Sequence, residues 1–129
     1  MTELQSLVGG VWTGGGAQAP DVNPARPADV VAQVRLADAA IARDAISAAR
    51  SAFTGWRDTP APARGEILRR AADLLDLRAD EVGRDLAREE GKTLGEAVGE
   101  TRRAVAILRY YAGQDTQRYP WLTTKSAQR

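Results

Sequence analysis

The change of hydrophobic periodicity at Asp38 is the feature that most constrains the fold of this chain. Before it, apolar residues form short runs, and the segment from Val30 to Leu36 alternates apolar and more polar residues, as a strand with one drier face does. After it, apolar residues recur every three or four positions, which is the pattern of amphipathic helices. The sequence therefore predicts an α+β chain, with strands in its first part and helices in its second.

The part before Asp38 is predicted to contain a hairpin, a loop and a strand. Gly9 and Gly10 lie between two short apolar segments, and paired glycines are typical of tight hairpin turns. The range from Gly14 to Pro27 is rich in glycine and proline, so it is predicted as a loop, with a turn at Asn23-Pro24. Residues 1–37 are thus expected to form an arm made of a hairpin and a strand.

Four mainly amphipathic helices are predicted after this arm. Asp38 is a candidate N-cap of the first helix, and Thr59–Pro62 separates it from the second. Gly91 is placed to end the third helix in the left-handed conformation. The segment Thr93–Glu96 has the spacing of a capping box for the fourth helix, which is predicted to end at Gly113. The predicted buried faces are, in helix order, Ile41, Ala45, Ala48, Ala49, Ala52 and Trp56; Ile67, Leu68, Ala71, Leu74 and Leu75; Val82 and Leu86; Leu94, Ala97, Val98, Thr101, Val105, Leu108 and Tyr111.

These patterns divide the chain into three segments. Residues 1–37 form the arm, and residues 38–113 form a helical subdomain. Residues 114–129 are polar, include Pro120 and show no sustained period, so they are predicted to be a flexible tail. A chain of 129 residues is long enough for one domain.

The composition excludes several kinds of chemistry. The chain has no cysteine and no histidine, so it offers no thiolate nucleophile, no disulfide, no zinc-thiolate site and no imidazole base. Its net charge of +1 at pH 7 produces no overall field that attracts nucleic acid or a membrane surface. Because neither a signal-peptide pattern nor a long apolar stretch is visible, we expect a cytoplasmic location.

One glycine-rich segment has the spacing of a phosphate-binding loop. Gly14–Ala19 fits the G-x-G-x-x-A pattern of dinucleotide sites, in which the loop leads into a helix whose amides face the pyrophosphate. Here Pro20 follows, and no helical period begins before Asp38. A flexible loop is therefore predicted rather than a nucleotide site.

An acidic trio is the second candidate. Asp73, Asp76 and Asp80 are three and four residues apart, so one side of a helix would present all three carboxylates. Arg69 lies four residues before Asp73, where it is placed to form an ion pair. We predict a solvated, charge-paired face rather than a metal or acid-base site.

The remaining polar candidates also have structural explanations. Glu89 and Glu90 are adjacent and point in different directions on a helix, so they form no catalytic dyad. Lys92 follows a helix C-terminus, where a cation is favourable in any case. The tail has too few cations for a nucleic-acid footprint. Its cations and aromatic residues are Arg118, Tyr119, Trp121, Lys125 and Arg129. We therefore predict no catalytic, cofactor-binding or metal-binding residue, and no nucleic-acid or membrane partner.

Several segments, taken in order and with their spacing, resemble the N-terminal part of the NAD(P)-dependent aldehyde dehydrogenase superfamily. The resemblance covers about residues 7–113 and is carried by Leu7–Trp12, Val22–Pro24, Val30–Asp38, Ala52–Trp56, Arg64–Leu75, Glu89–Ala97 and Leu108–Gly113. It implies that these elements belong to the coenzyme-domain side of a larger α/β subunit. In this family a cysteine thiolate attacks an aldehyde, a hydride passes to NAD(P)+, and hydrolysis of the thioester releases a carboxylic acid.

The resemblance assigns no functional residue to this chain. The nucleotide site, the nucleophilic cysteine and the glutamate base of the family lie outside the matched segments, so NAD or NADP is implied for a full-length member alone. Some members hold a structural monovalent cation near the Asn-Pro turn, with a carboxylate on the last helix. Here Arg102 and Arg103 stand in that helix turn, so we expect no such ion.

Two functional expectations follow from the resemblance. The first is a partial aldehyde dehydrogenase that is inactive by itself, ending before the catalytic region. From Asp115 onward the sequence is expected to depart from the family, as a frameshift or a premature stop would cause. The alternative is a non-enzymatic helical interaction module. Its apolar helix faces, left without a large sheet to pack on, are expected to self-associate or to bind a full-length homologue.

Overall fold

A computed structural model describes residues 3–118 and contains short strands followed by four helices. The strands are β1 (Glu3–Leu4), β2 (Ser6–Val8), β3 (Val11–Thr13), β4 (Gln18–Val22) and β5 (Val30–Arg35). The helices are α1 (Ala39–Asp58), α2 (Ala61–Leu77), α3 (Ala79–Glu90) and α4 (Leu94–Arg118). The predicted class, an α+β fragment with a hairpin, a strand and four helices, is confirmed. Within the described residues, none of these helices has the length and apolar composition needed to cross a membrane.

The described residues group into two compact units. The first contains residues 3–57 and 88–92, and the second contains residues 58–87 and 93–118. The predicted organisation into segments 1–37, 38–113 and 114–129 stays a prediction, because residues 119–129 lie outside the described part of the chain.

In the first unit, β5 is the central strand of a three-stranded sheet with the order β1-β5-β4. Ala32 on β5 is 3% exposed, and Arg35 forms an ion pair of 2.6 Å with Glu3 on the parallel strand β1. Strand β4 lies in the range predicted as a loop, so that prediction is wrong for Gln18–Val22. Its Pro20 argued against a strand, but β4 is an edge strand, where a missing N–H is tolerated.

The predicted hairpin is confirmed. Strands β2 and β3 pair antiparallel, with Val8 opposite Val11. Between them, Gly9 and Gly10 have φ angles of 57° and 85°. Two consecutive residues with positive φ match the right-handed twist of a hairpin, and glycine adopts that conformation without a steric penalty.

The predicted helix termini are confirmed at three places. The carboxylate of Asp38 accepts hydrogen bonds of 2.9 Å from the N–H groups of Ala40 and Ile41, so it caps α1. Gly91 follows α3 with φ 68°. At the start of α4, the Thr93 hydroxyl accepts from the Glu96 N–H at 3.4 Å, and the Glu96 carboxylate accepts from the Thr93 N–H at 3.3 Å. This is the reciprocal geometry of a capping box.

The predicted end of α4 is wrong, because the helix continues through Gly113 to Arg118. Gly113 is not among the glycines with positive φ, and nothing lies within 4 Å of the position its Cβ would take. A glycine inside a helix costs about 1 kcal/mol relative to alanine but does not by itself end the helix.

The core of the second unit is built from small side chains where α2 and α4 pack closely. Ala72 on α2 and Ala97 on α4 are fully buried, and Val105 is 3% exposed. Thr101 is also buried, and its hydroxyl donates a 3.0 Å hydrogen bond to the carbonyl oxygen of Ala97. The prediction for α4 is thus confirmed for these positions of its centre. It is wrong for Leu94 and Tyr111 at the ends of the stripe, which are 51% and 59% exposed.

The buried face of α2 differs from the predicted one. Ile67 and Leu74 are 51% and 64% exposed, and Ala71 is exposed as well. The face that meets α4 instead carries Gly65 and Ala72, with the half-buried Leu68 and Leu75 that were predicted. Helix α2 has two apolar stripes, and small residues on one of them permit the closer approach of helix backbones. Periodicity alone does not choose between the stripes.

The predicted face of α1 is confirmed in part. Ile41, Ala45 and Ala48 are half-buried, whereas Ala49, Ala52 and Trp56 are exposed. On α3, Val82 and Leu86 are half-buried, as predicted.

Candidate functional site

The glycine-rich segment Gly14–Ala19 joins β3 to β4. The Gly15 N–H donates a 3.1 Å hydrogen bond to the carbonyl oxygen of Leu36, and a Cβ at Gly15 would collide with that oxygen. The segment continues into a strand rather than a helix, so it presents no helix N-terminus to a pyrophosphate. Its glycines permit close packing beside the end of β5.

The acidic trio is divided between two helices and paired with arginines. Asp73 and Asp76 lie on α2, and both accept hydrogen bonds from Arg109 of α4, at 3.2 and 2.9 Å. Asp73 also accepts from Arg69 at 2.7 Å, as its spacing predicted. Asp80 belongs to α3, so the expectation that one helix side presents all three carboxylates is wrong.

The partner of Asp80 is Arg102, one of the two arginines because of which we expected no structural monovalent cation. Arg102 of α4 donates to the Asp80 carboxylate at 3.4 Å, and both side chains are exposed. Arg103 is also exposed on α4. Within residues 3–118, no group of three or more acidic side chains is arranged to hold a metal ion.

A groove of about 500 Å³ lies beside the ion pairs of α2 and α4. Its lining residues are Pro62, Gly65, Glu66, Arg69, Asp73, Arg109, Ala112 and Gly113. The Glu66 carboxylate accepts hydrogen bonds from Arg69 at 2.8 Å and from Arg70 at 2.9 Å. These two guanidinium groups, Arg69 first, lower the pKa of Glu66 to about 2. Glu66 is therefore ionised at neutral pH and serves as an ion-pair acceptor, not as an acid catalyst.

The polar residues after α3 form local pairs. Lys92 is half-buried and forms an ion pair with Glu90, while Glu89 is exposed. The structural explanation predicted for Lys92 is consistent with this pairing.

A polar cluster that the sequence did not reveal ties the end of α3 to the turn after β4. The guanidinium of Arg88 donates to the Asp29 carboxylate at 2.7 and 3.2 Å, and the Asn23 side-chain amide donates to it at 3.3 Å. These contacts, that of Arg88 being the largest, lower the pKa of Asp29 to about 2. Gly91 completes the contact, since a Cβ there would lie 2.9 Å from the ring of Pro24.

No local signal in the sequence reports this cluster, because Asp29 and Arg88 are 59 residues apart. Two parts of it were predicted separately, the left-handed Gly91 and the Asn23-Pro24 turn. The geometry of the turn is confirmed by the hydrogen bond from the Arg26 N–H to the Asn23 carbonyl oxygen. The candidate tail residues Tyr119, Trp121, Lys125 and Arg129 lie outside the described residues.

Comparison with known proteins identifies the family of the fold. The sequence model of the aldehyde dehydrogenase family matches residues 12–128. The chain is 45% identical over 92 residues to the alpha-ketoglutaric semialdehyde dehydrogenase of Bacillus subtilis, covering 71% of this chain and 19% of that protein. It is 40% identical over 112 residues to the alpha-ketoglutarate semialdehyde dehydrogenase of Haloferax volcanii, covering 85% and 23%.

A solved structure agrees with these sequence matches. The 1-pyrroline-5-carboxylate dehydrogenase from Thermus, crystallised with bound NAD, matches with a TM-score of 0.82 and 32% identity, covering 86% of this chain and 22% of that one. The chain thus spans about a fifth of the length of the relatives it matches. The family match extends past Asp115, so the expected departure from the family in the tail is wrong for residues 115–128.

The elements of this chain agree in order with the family matches. The described helices and strands reproduce the N-terminal region of the relatives, and the matched range covers most of the sequence. This chain is an N-terminal segment of the aldehyde dehydrogenase family and belongs to that family.

Proposed function

We propose that this chain is the N-terminal structural part of an aldehyde dehydrogenase, whose complete form oxidises an aldehyde to a carboxylic acid with NAD(P)+ as hydride acceptor. The family match over residues 12–128 carries this proposal. In the complete enzyme, this segment contributes packing surfaces and tight helix contacts to the coenzyme-binding side. Residues in the remainder of the subunit carry out the reaction. A cytoplasmic location is part of the proposal, and a chain without cysteine needs no oxidising compartment for disulfide formation. Cell fractionation tests that location.

The chain alone is proposed to lack oxidoreductase activity. The family reaction requires a cysteine thiolate, and this sequence has none. The test is to incubate the purified chain with NAD+ or NADP+ and a series of aldehydes, and to follow the absorbance of the reduced nicotinamide. No increase above the blank is expected. A rate proportional to the concentration of the chain would overturn this part of the proposal.

A chimera tests the structural role directly. The matching segment of the Bacillus subtilis alpha-ketoglutaric semialdehyde dehydrogenase is replaced by this chain, and NAD(P)-dependent oxidation by the chimera is measured. We expect activity, because the segment is 45% identical over the matched residues. The control chimera carries Gly83→Val, which places a side chain against the backbone of Val98 on α4 and is expected to lose activity. A chimera that melts cooperatively but has no activity would contradict the proposal.

A second candidate function is binding to a full-length homologue. It is favoured by the apolar side chains on α2 that the second unit leaves uncovered, since Ile67, Leu74 and Leu77 are 51%, 64% and 84% exposed. Within a complete subunit of the family, such a face has the remaining four-fifths of the chain available as a packing partner. Neither nucleic acid nor a membrane is proposed as a partner.

Size-exclusion chromatography with a full-length aldehyde dehydrogenase tests this second candidate. The two proteins are expected to co-elute, and Leu74→Glu with Leu77→Glu is expected to abolish co-elution. As a matched control, Arg84→Glu changes an exposed position of α3 and is expected to have no effect. Separate elution of the unaltered proteins at high concentration would remove this candidate.

A further inference from the structure

Helix α1 is apolar over a wider arc than its own unit covers. At about 3.6 residues per turn, its apolar side chains occupy one continuous arc of about 160°, which no polar side chain interrupts. One half of this arc contains Ile41, Ala45 and Ala48, which are half-buried. Ala48 lies beside the hairpin, 3.7 Å from the position that a Cβ on Gly9 would take. This half is therefore the one that packs within the first unit.

The other half of the arc is exposed among the described residues. It is called the α1 ridge below and consists of Ala42, Ile46, Ala49, Phe53 and Trp56. None of these side chains is ionisable, and Ile46, Phe53 and Trp56 are 70%, 60% and 47% exposed. The opposite side of α1 carries exposed polar residues, namely Asp44, Ser47, Ser51 and Thr54. The helix thus has one side suited to water, and the ridge is not that side.

The size of the ridge indicates which kind of partner can cover it. At about 1.5 Å per residue it is roughly 21 Å long, and a helix about 10 Å wide gives it a footprint of roughly 200 Å². Each partner in a stable interface between separate proteins buries about 800 Å². The ridge alone is too small for such an interface. A segment of the same polypeptide is already held nearby, so it loses far less translational and rotational freedom when it packs there.

The relatives contain a large amount of polypeptide that is able to cover the ridge. This chain spans about a fifth of their length, so about four-fifths of such a subunit lies outside it. The match to the Bacillus subtilis enzyme covers 92 of the 129 residues, and therefore includes Ala39–Asp58 wherever it begins. Helix α1 thus has a counterpart within a much longer chain.

We propose that the α1 ridge is a packing surface inside the complete subunit, covered by apolar side chains of the polypeptide outside this segment. This inference rests on the proposed function, in which the chain is the N-terminal part of a larger enzyme. In the complete subunit, both halves of the apolar arc are buried, and the polar side of α1 remains in water. Helix α1 then joins the strands of the first unit to the remainder of the subunit.

Thiol labelling tests this proposal, because the chain has no cysteine of its own. Ala49→Cys places a thiol on the ridge, and Ser47→Cys places one on the polar side; both positions are exposed in this chain. Each variant is made in the 129-residue chain and in the chimera with the Bacillus subtilis enzyme. Reaction with a maleimide is followed by peptide mass spectrometry, which separates the introduced thiol from other cysteines of the chimera.

The two thiols are expected to react at similar rates in the chain alone. In the chimera, labelling of Ala49→Cys is expected to slow by about a hundredfold, since a buried thiol reacts only when the structure around it opens. Labelling of Ser47→Cys is expected to stay fast. Fast labelling of Ala49→Cys in a chimera that melts cooperatively would overturn the proposal. Where the chimera does not fold, the cysteine is placed at the aligned residue of the Bacillus subtilis enzyme, and fast labelling there would equally overturn it.

A ridge substitution gives a second measurement. Phe53→Ser is expected to lower the melting temperature of the chimera by several degrees and that of the chain alone much less, because only the chimera buries this position. Phenylalanine and serine have similar helix propensities, so the comparison reports packing. Thr54→Ser on the polar side is the matched control and is expected to change neither temperature. An equal effect of Phe53→Ser in both proteins would contradict the proposal.

Other occupants of the ridge give different results. A concentration-dependent dimer of the chain that protects Ala49→Cys and that Phe53→Ser dissolves would assign the ridge to a second copy. Protection only in the presence of phosphatidylcholine and phosphatidylserine vesicles would assign it to a lipid surface. Both results would overturn the proposal. An active chimera with a fast-labelling ridge removes this inference alone, whereas a folded, inactive chimera with a protected ridge contradicts the proposed function alone.

Discussion

Substitution of Gly65 by alanine tests the closest contact between two helices of the second unit. A Cβ at this position would lie 2.5 Å from the carbonyl oxygen of Ala112, and 3.5 Å from the carbonyl carbon. The first distance is roughly 1 Å shorter than an ordinary van der Waals contact. The obstacle is backbone of α4, so it cannot turn aside as a flexible side chain would. Helices α2 and α4 must therefore move apart to accommodate the methyl group.

Two effects of opposite sign determine the magnitude. Alanine is favoured over glycine in a helix interior by about 1 kcal/mol. Overpacking a close contact costs about 1–3 kcal/mol. A gap of about 0.5–1 Å along the interface also removes a quarter to a half of the dispersion energy of each atom pair that it separates. Because the gap would extend along the contact that buries Ala72 and Val105, the second effect is larger. Gly65→Ala is expected to lower the free energy of unfolding by up to about 2 kcal/mol, the overpacking cost less the propensity gain.

The matched control is Gly99→Ala in α4. Nothing lies within 4 Å of the position its Cβ would take, so the propensity effect acts alone. The expected gain is about 1 kcal/mol. Urea denaturation followed by circular dichroism measures both variants, provided that the transition is cooperative. If Gly65→Ala stabilises the chain as Gly99→Ala does, the close approach of α2 and α4 does not exist in solution.

Three further predictions concern the ends of helices and one ion pair. Thr93→Ala removes the hydroxyl of the capping box and is expected to cost about 1 kcal/mol of stability, measured by urea denaturation; an unchanged midpoint would show that the box does not form. Gly91→Ala forces a left-handed conformation on a residue with a Cβ, which would also lie 2.9 Å from the ring of Pro24, and is expected to cost at least about 1–2 kcal/mol in urea denaturation; an unchanged midpoint would show that this contact does not form. Arg88, and to a smaller extent Asn23, lower the pKa of Asp29 from 3.8 to about 2. The ionised Asp29 therefore stabilises the fold fully above pH 3.8, and this stabilisation is lost as the pH falls toward 2. Urea midpoints across that interval are expected to fall less steeply in Asp29→Asn, and an equal slope would refute this assignment.

The helix termini were readable from the sequence because their signals are local. Asp38 caps α1 through amides two and three residues away, and the capping box spans Thr93 to Glu96. Gly9 and Gly10 likewise close the hairpin between adjacent strands. In each case the partner groups lie within a few residues, so spacing alone carries the information. The exception is Gly113, whose position near a loss of pattern was misread as a helix end.

Pairings between distant segments were not readable. Strand β4 exists because its backbone hydrogen-bonds to β5, and nothing within its own sequence outweighed Pro20. The Asp29–Arg88 ion pair joins groups 59 residues apart, and the pair that Arg109 forms with Asp76 joins groups 33 residues apart. Each of these contacts depends on how two elements are brought together, a property that no single segment contains.

The candidate site shows the same division. The absence of cysteine and histidine is a property of the sequence, and it already removes the family's nucleophile from this chain. The bounds of the elements decided two further points. The glycine-rich loop leads into a strand and not a helix, and Asp73 and Asp80 lie on different helices. The arginine partners of these carboxylates came from α4 as well as from neighbouring turns.

The sequence by itself determined the α+β class, the existence of four helices, the caps at Asp38, Gly91 and Thr93–Glu96, and membership of a family through ordered segments. The tertiary structure alone decided which apolar stripe of each helix is buried. On α2 the backbone of α4 approaches Gly65, Ala72 is buried, and Ile67 and Leu74 are left exposed. The physical reason is that periodicity measures how apolar residues are spaced along one helix, whereas burial depends on how closely two surfaces can approach, which the smallest side chains permit.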